Sequence, residues 1–456
     1  MRLSDVQARG ALWLLVGWAG IVGLAGCAVF SRGGGESLPR EIERAPVFEL
    51  DATAQLDSSG QALMEVRMTV PTSLTGIRQT GSGTAARVRW TIEILTRPDG
   101  QQVYEASWVE TVGVSDSTAE APIVSRVIEV PSGETLVAVT AEDEATGVGY
   151  TERQDVLVPT PSGPAVVTGL RVEVHNGAVW RPLVSRTVTV DWDSLRVLAQ
   201  VVNGDGGDAR VVVERLDADS SVALPPFAMG RQPGSLPVRG VRVDKRIQDT
   251  TFVHETRVAD EPVDLATPIP PLGTGAYRLR VEAGDAVLDR FMIVRRAGFP
   301  AVERVGDLVA AMRYITTDGE MRALTARLDP FLQRRAFDRF WGDRIPDRRL
   351  AASTVRAYAE RVEAANRRFS NQKEGWKTDR GMAYVLFGPP QRVEQAFRTE
   401  RWIYTSGPVS GLALEFEATP DLPDGWPHEV WVLRRGPAYD VAWQRARRAW
   451  RRGDVP

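Results

Sequence analysis

The chain has 456 residues, a formal net charge of −3, 43% hydrophobic residues and 25% charged residues. This composition is that of a globular protein, and the length predicts about three domains of roughly 150 residues each. The near-neutral charge excludes the strongly basic surface typical of nucleic-acid-binding proteins. The one cysteine, Cys27, excludes disulfides, thiolate metal sites and a cysteine nucleophile from the rest of the chain.

The N-terminus has the pattern of an export signal. Arg2 and Arg9 precede an apolar stretch over 11–24, which is too short for a typical membrane-spanning helix. The sequence Leu24-Ala25-Gly26-Cys27 resembles a lipobox, which implies cleavage before Cys27 and attachment of acyl chains such as palmitate to that residue. We therefore expect a lipoprotein signal peptide over 1–26 and a flexible tether over 27–45. An ordinary signal peptide or signal anchor is the alternative.

Two β-rich regions follow the tether. Alternating apolar and polar residues predict strands at Ala62–Val70, Arg87–Thr96, Ile123–Val130 and Thr135–Thr140. After a proline-rich linker, a second set is predicted at Leu170–His175, Leu195–Val202, Ala209–Leu216 and Tyr277–Val281. Short strands separated by turn residues are typical of a sandwich or barrel. We expect two antiparallel, immunoglobulin-like β-sandwich domains over 46–158 and 165–297.

The hydrophobic period changes after Pro300. Three short helices are predicted at Val305–Ile315, Gly319–Leu328 and Pro330–Trp341, and a longer one at Ala351–Phe369, which carries one apolar stripe. Short strands are predicted at Met382–Phe387, Arg401–Thr405, Leu412–Glu417 and Glu429–Leu433, before a final arginine-rich helix at Val441–Arg452. The region 300–456 is therefore expected to be a helical segment followed by a small α+β domain.

One motif in this region is specific. Gly375-Trp376-Lys377-Thr378-Asp379, followed by 380–390, resembles the GWxTD domain family at every fixed position. The resemblance extends upstream to Phe340-Trp341 and downstream to Trp402-Ile403-Tyr404, which is about the last third of the chain. It implies a fold and an exported, envelope setting, but no reaction.

The residues of the motif suit a structural role. Gly375 is expected to end the helical approach with φ > 0, and Trp376 to plug the space between helix and sheet. Thr378 and Asp379 are expected to bond neighbouring backbone N–H groups at the turn into a strand that begins near Gly381. That strand should end at Gly388-Pro389-Pro390, because proline cannot donate to a β-ladder. In the alternative, Thr378 and Asp379 line a pocket for a cation or polar ligand.

The sequence contains no recognisable catalytic signature. Three histidines, His175, His254 and His428, lie in separate segments, and no nucleophile elbow or phosphate loop is present. We therefore expect a lipid-anchored protein of the cell envelope, favoured at the outer membrane because Ala28 follows Cys27, that binds or scaffolds envelope proteins without catalysis. We expect no cofactor, no metal and no nucleic-acid partner. The alternative is a hydrolase or glycan-binding protein with a cleft near Asp379, Arg380 and His428.

Overall fold

Strands make up the described elements from Leu50 to Arg295, and helices with one small sheet follow. In a computed structural model, the described residues are 48–70, 78–80, 83–114, 122–144, 147, 149–177, 179–190, 192–204, 207–227, 242–257, 262–326, 329–396, 398–419, 426 and 428–456. Cys27, the signal peptide and the tether lie outside the described residues. The described residues belong to one unit of the fold.

The first β region consists of eight strands in two antiparallel sheets, ordered β1-β2-β6 and β3-β4-β7-β8, with β5 also paired to β4. Its strands are β1 Leu50–Leu56, β2 Ala62–Thr69, β3 Arg78–Thr80, β4 Gly83–Thr96, β5 Gln102–Val114, β6 Ile123–Glu129, β7 Gly133–Asp143 and β8 Gly149–Val158. Met64 and Val66 of one sheet share a buried cluster with Trp90, Ile92 and Val139 of the other. Each strand therefore buries alternate side chains between the two sheets.

The second β region also forms two sheets, ordered β10-β9-β12-β15 and β11-β17-β16-β13-β14. Its strands are β9 Val166–Asn176, β10 Val179–Pro182, β11 Thr187–Thr189, β12 Ser194–Val202, β13 Asp208–Asp217, β14 Arg242–Arg257, β15 Val263–Ile269, β16 Gly275–Ala283 and β17 Ala286–Arg295. Among the described strands of this region, only the short β11 pairs in parallel, with β17. Val172, Val197, Val213 and Leu279 form the buried layer between these sheets.

In the described residues after Arg295, six α-helices and a four-stranded antiparallel sheet complete the fold. The helices are α1 Val305–Ala311, α2 Asp318–Thr325, α3 Pro330–Gly342, α4 Arg348–Phe369, α5 Asp379–Phe387 and α6 Asp440–Arg452. The sheet runs in the order β18 Arg392–Ala396, β19 Thr399–Ile403, β20 Ala413–Ala418 and β21 Trp431–Leu433. Asp347 caps α4 by accepting hydrogen bonds from the N–H groups of Arg349 and Leu350. None of the described helices is long and apolar enough to span a bilayer.

The apolar stripe predicted on α4 is confirmed: Tyr358, Val362, Ala365 and Phe369 are buried. They pack in one core with α5, the small sheet and α6, whose Trp450 is also buried. The overall expectation of a β-rich, multidomain chain is confirmed as well.

The strand predicted at Met382–Phe387 is wrong, because this segment forms the body of helix α5. All residues from Gly381 to Phe387 are buried. A short run that is apolar on every side has no helical period, so its pattern does not distinguish a buried helix from a buried strand. Gly388, with φ of 81°, ends the helix rather than a strand. The strand predicted at Glu429–Leu433 is shorter, Trp431–Leu433.

Candidate functional site

The motif lies at the junction between α4 and α5. Gly375–Lys377 form one turn of 3-10 helix, and Thr378 is the N-cap of α5. Gly375 does not adopt the positive φ that was predicted. Its role is to let the backbone of the 3-10 turn approach the backbone of α4, since a Cβ at this position would lie 1.8 Å from the carbonyl oxygen of Ala365. Glycine is therefore required because the 3-10 turn packs its backbone directly on the backbone of α4.

Trp376 is buried between α4 and the first helices of the region. Its indole N–H donates to Glu374 Oε2 at 2.8 Å, and its backbone N–H donates to Asn366 Oδ1 at 3.3 Å. Its carbonyl accepts a 2.6 Å hydrogen bond from the hydroxyl of Tyr314, whose ring meets the indole edge-on. Trp376 thus connects α4 with the turn after α1, whereas the sequence predicted a plug between helix and sheet.

Thr378 and Gly381 form the start of α5. The Thr378 hydroxyl donates to the carbonyl of Gly375 at 2.7 Å and accepts from the N–H of Gly381 at 3.0 Å. A Cβ on Gly381 would lie 1.8 Å from the Gly375 carbonyl oxygen. The expected hydrogen bond from a nearby backbone N–H to the Thr378 hydroxyl is present, but it caps a helix and does not lead into a strand. Gly375 and Gly381 are the two positions where this turn leaves no room for a side chain.

Asp379 does not bond neighbouring N–H groups as predicted. Its carboxylate accepts two hydrogen bonds from Arg435, at 2.6 and 3.0 Å, and a third from the backbone N–H of Leu433 at 2.7 Å. The side chains of Asp379 and Arg435 are only 12% and 5% exposed. Both oxygens of the carboxylate are therefore engaged across the fold, where they hold the start of α5 against the end of β21.

Arg435 also holds a segment of the second β region against the motif. We call residues 218–227, which follow β13, the strap. The guanidinium of Arg435 donates to the carbonyls of Leu224 and Pro225 at 3.1 and 3.3 Å. The N–H of Ala223 donates to the carbonyl of Lys377 at 2.9 Å. The Asp379–Arg435 pair is thus the centre of a contact that includes α5, β21 and the strap.

A second contact joins β17 to the segment between α4 and the motif. The buried Arg295 donates to the carbonyls of Asn371, Gln372 and Lys373, the last two at 3.3 and 3.1 Å. Burial lowers the pKa of the Arg295 guanidinium to about 10. The side chain remains charged at neutral pH, and three carbonyl dipoles compensate the charge.

The three groups of the expected catalytic or glycan-binding cleft have separate partners. Arg380 lies 3.4 Å from Glu400 and stacks near Trp431, and Asp379 is bound by Arg435. His428 Nε2 lies 3.1 Å from Thr187 Oγ1, in the second β region. Burial, with repulsion from the arginines at 295 and 186, lowers the pKa of His428 to about 4. His428 is neutral at physiological pH.

The remaining motif residues end α5. The carbonyl of Gly388 accepts a 3.2 Å hydrogen bond from the hydroxyl of Tyr404 in the small sheet. Pro389 is partly exposed and Pro390 is buried. A Cβ on Gly388 would lie 2.8 Å from the guanidinium of Arg361. Within the described part of the chain, no group of three or more His, Cys, Asp or Glu side chains is arranged to hold a metal ion.

Sequence reasoning missed Arg435, Arg295 and the strap. Arg435 is 56 positions from Asp379, and neither has a local partner whose spacing would reveal the pair. Arg295 ends a strand that carries one other arginine, Arg290, and nothing in the sequence distinguishes Arg295 from a solvated residue. Buried arginines that bond distant carbonyls leave no periodic pattern.

Residues 275–452 match the family model described as the GWxTD domain. The match begins within β16, and it therefore includes the β16–β17 hairpin together with the helices and the small sheet. The recognition of this family from the motif is confirmed. No curated protein matches the chain.

Proposed function

We propose that this chain, which carries a GWxTD domain, is a membrane-anchored lipoprotein of the cell envelope and acts as a non-catalytic protein-binding or scaffolding module. The N-terminal sequence supports the anchor through the lipobox-like residues that end at Cys27. Ala28 favours the outer membrane as the site of that anchor. Stable attachment is expected because each CH2 group that the several acyl chains bury in the membrane contributes about 0.8 kcal/mol to the binding free energy.

The observation that supports a non-catalytic function is that the polar side chains of the motif make their hydrogen bonds within the fold. Both carboxylate oxygens of Asp379 bond to Arg435 or Leu433, and the Thr378 hydroxyl is both donor and acceptor within its own turn. A group whose short hydrogen bonds are made within the fold needs to break some of them before it takes part in proton transfer. The motif is therefore suited to fixing domains in place, which is what a scaffold requires.

We further propose that both β regions are immunoglobulin-like sandwiches, with the domain bounds 46–158 and 165–297, ahead of a region from 300 to 456. The strand orders support this assignment, since in each region the first, second and fifth long strands form one sheet and the others form the second. The parallel pairing of β11 with β17 fits the strand that switches sheets at the edge of many such domains. Sandwiches of this kind commonly serve as binding or spacer modules.

The rival function, a hydrolase or glycan-binding protein, needs Asp379, Arg380 and His428 to act on one ligand. The contacts do not favour it, because each of the three is bound to a different neighbour. A chain with Asp379→Asn that folds normally but loses a measured hydrolytic or glycan-binding activity would favour the rival over the scaffold.

Crosslinking in whole cells, followed by purification of the tagged chain, tests the proposed function. We expect specific envelope proteins to copurify with the wild-type chain, and far fewer with Cys27→Ala, because the variant cannot be acylated and leaves the membrane. Incorporation of labelled fatty acid into the wild type, but not into Cys27→Ala, checks the anchor separately. A wild-type chain that is acylated and recovers no protein above an untagged control would contradict the scaffold.

A further inference from the structure

A cavity of about 340 Å³ lies between the two β regions. Its walls include residues 154–157 of β8 and 286–291 of β17, and its floor includes β1 and β9. The two walls are strands that each pair along one side only in this part of the described chain: β8 with β7, and residues 286–291 of β17 with β16. β11 covers β17 only at residues 293–295.

The backbone groups of these strands point into the open side at alternate residues. The N–H of Ile293 donates outward to the carbonyl of Arg186 at 2.8 Å, so Val287, Asp289 and Phe291, which have the same parity, also face away from β16. On β7, the carbonyl of Glu134 accepts from Arg97 on the β4 side. The backbone N–H and C=O of Thr135 therefore face β8, and those of its partner there, Val156, face β7. The backbone N–H and C=O groups of Asp155 and Leu157 then point away from β7, to the unpaired side of β8.

The neighbouring edge of β1 shows what a covered edge looks like in this protein. The amide of Gln154 bonds both the N–H and the carbonyl of Ala52, at 2.9 and 2.8 Å, and the amide of Gln200 does the same at Leu56. Side-chain amides thus replace a neighbouring strand along β1. No such bond is made to the outward backbone groups of β8 or of residues 286–291 within the described residues, so these two edges are open.

The side chains at the two open edges are apolar or already neutralised. Leu157 and Val287 are 51% and 49% exposed, so each edge presents an aliphatic side chain to solvent. Asp155 pairs with Arg97 at 2.9 Å, and Asp289 pairs with Arg280 at 2.7 Å. An occupant that covers these edges therefore meets aliphatic surface and no uncompensated charge, and a charged side chain would lose its hydration there without gaining a partner.

The floor of the cavity is charged, and its charges are paired within the fold, although Asp51 Oδ2 and Arg67 Nη1 make no hydrogen bond. Arg290 donates to Asp51 at 2.5 Å and to the carbonyl of Leu183 at 3.0 Å, and Arg67 lies 3.5 Å from the other oxygen of Asp51. These contacts fix the first β region on the second. The outward backbone groups of the two edges have no hydrogen-bond partner among the described residues, and a third backbone would offer N–H and carbonyl groups at the spacing of a strand.

We propose that this cleft accepts an extended, uncharged segment of a partner protein by β-strand addition, with hydrogen bonds to the open edge of β17. Six residues at about 3.3 Å each match the open stretch of β17, which is roughly 20 Å long. Aliphatic side chains of the segment cover Leu157 and Val287. This inference rests on the proposed function and specifies its partner. The partner is recognised through the backbone of an extended protein segment, not through a charged group or a glycan.

Selection of a phage-displayed library of random six-residue peptides against the full chain tests the inference. We expect the recovered peptides to be uncharged and extended, and to slow amide hydrogen exchange at residues 286–291. Val287→Pro removes one outward N–H from an open edge, where proline is tolerated, and should weaken binding at least ten-fold. The same peptides with N-methyl groups on alternate residues should bind at least ten-fold more weakly to the wild-type chain.

Val127→Pro in β6 is the matched control. Val127 is 65% exposed on another sheet edge, and the hydrogen bonds of Val130 and Pro122 to β2 place its N–H outward as well. This variant should bind peptide like the wild type. Equal binding by Val287→Pro, or recovery of no peptide that depends on Val287, would overturn the inference. Self-association of the wild type that Val287→Pro abolishes would make the occupant a second copy and overturn the partner assignment. Partners recovered by crosslinking but unaffected by Val287→Pro would leave the scaffold standing without this site.

Discussion

Replacing Gly375 with alanine distinguishes helix propensity from tertiary packing. By propensity alone, glycine to alanine in a helical turn stabilises by about 1 kcal/mol at most. In this fold the new Cβ would lie 1.8 Å from the Ala365 carbonyl oxygen and 2.8 Å from the Asn366 Cα. Both are backbone atoms, so α4 and the 3-10 turn must separate. Separation weakens the hydrogen bonds from Gly375 N–H to Ser370 and from Trp376 N–H to Asn366.

We expect Gly375→Ala to cost about 3–5 kcal/mol, from overpacking of about 1–3 kcal/mol and two weakened hydrogen bonds of about 1 kcal/mol each. The chain has several domains, so a single global transition is not assumed. Hydrogen exchange of the α4 and α5 amides in the native state measures the local free energy of opening. It should fall there and stay unchanged in β4 and β7.

Gly319→Ala in α2 is the control, because a Cβ there meets no atom within 4 Å and its φ is not positive. This variant should be as stable as the wild type or more stable by up to about 1 kcal/mol. If Gly375→Ala proved as stable as Gly319→Ala, the contact between the 3-10 turn and α4 would not be close, and our reason for glycine at this motif position would be wrong.

Three further outcomes follow from the site. Trp376→Ala should cost about 3–5 kcal/mol by leaving a cavity, and limited proteolysis should then cleave the region after residue 300 while the β regions resist. Asp379→Asn should cost about 3–5 kcal/mol because Arg435 keeps a buried charge without its carboxylate. In urea unfolding, adding Arg435→Met should restore part of that loss, and full additivity of the two changes would contradict a direct pair. Because burial depresses the pKa of His428 from 6.5 to about 4, its contribution is complete above pH 6.5 and is lost as pH falls through 4. We expect His428→Gln to remove up to about 3 kcal/mol of this acid sensitivity, and identical pH profiles for variant and wild type would refute it.

The motif was recognisable from the sequence because its residues are contiguous, but the element that contains it was not. A short run of apolar residues such as Met382–Phe387 fits a buried strand as well as a buried helix. The start of α5 is decided by the Thr378 cap and by the close packing of Gly375 and Gly381, and both depend on α4 being in place. Tertiary contacts therefore chose between two local structures of similar sequence preference.

The sequence by itself determined the periodic features: the alternating strands of both β regions, the apolar stripe of α4, and the helix that carries Trp443 and Trp450. Each of these depends on residues a few positions apart, because side-chain direction repeats every two residues in a strand and every 3.6 in a helix. Only the tertiary structure decided the partner of Asp379, the course of the strap, and the cleft between β8 and β17. These features depend on residues 50 or more positions apart in the sequence, such as Asp379 and Arg435, or Val287 and the β8 residues that line the same cavity. The local periodicity of the sequence carries no information about such pairs.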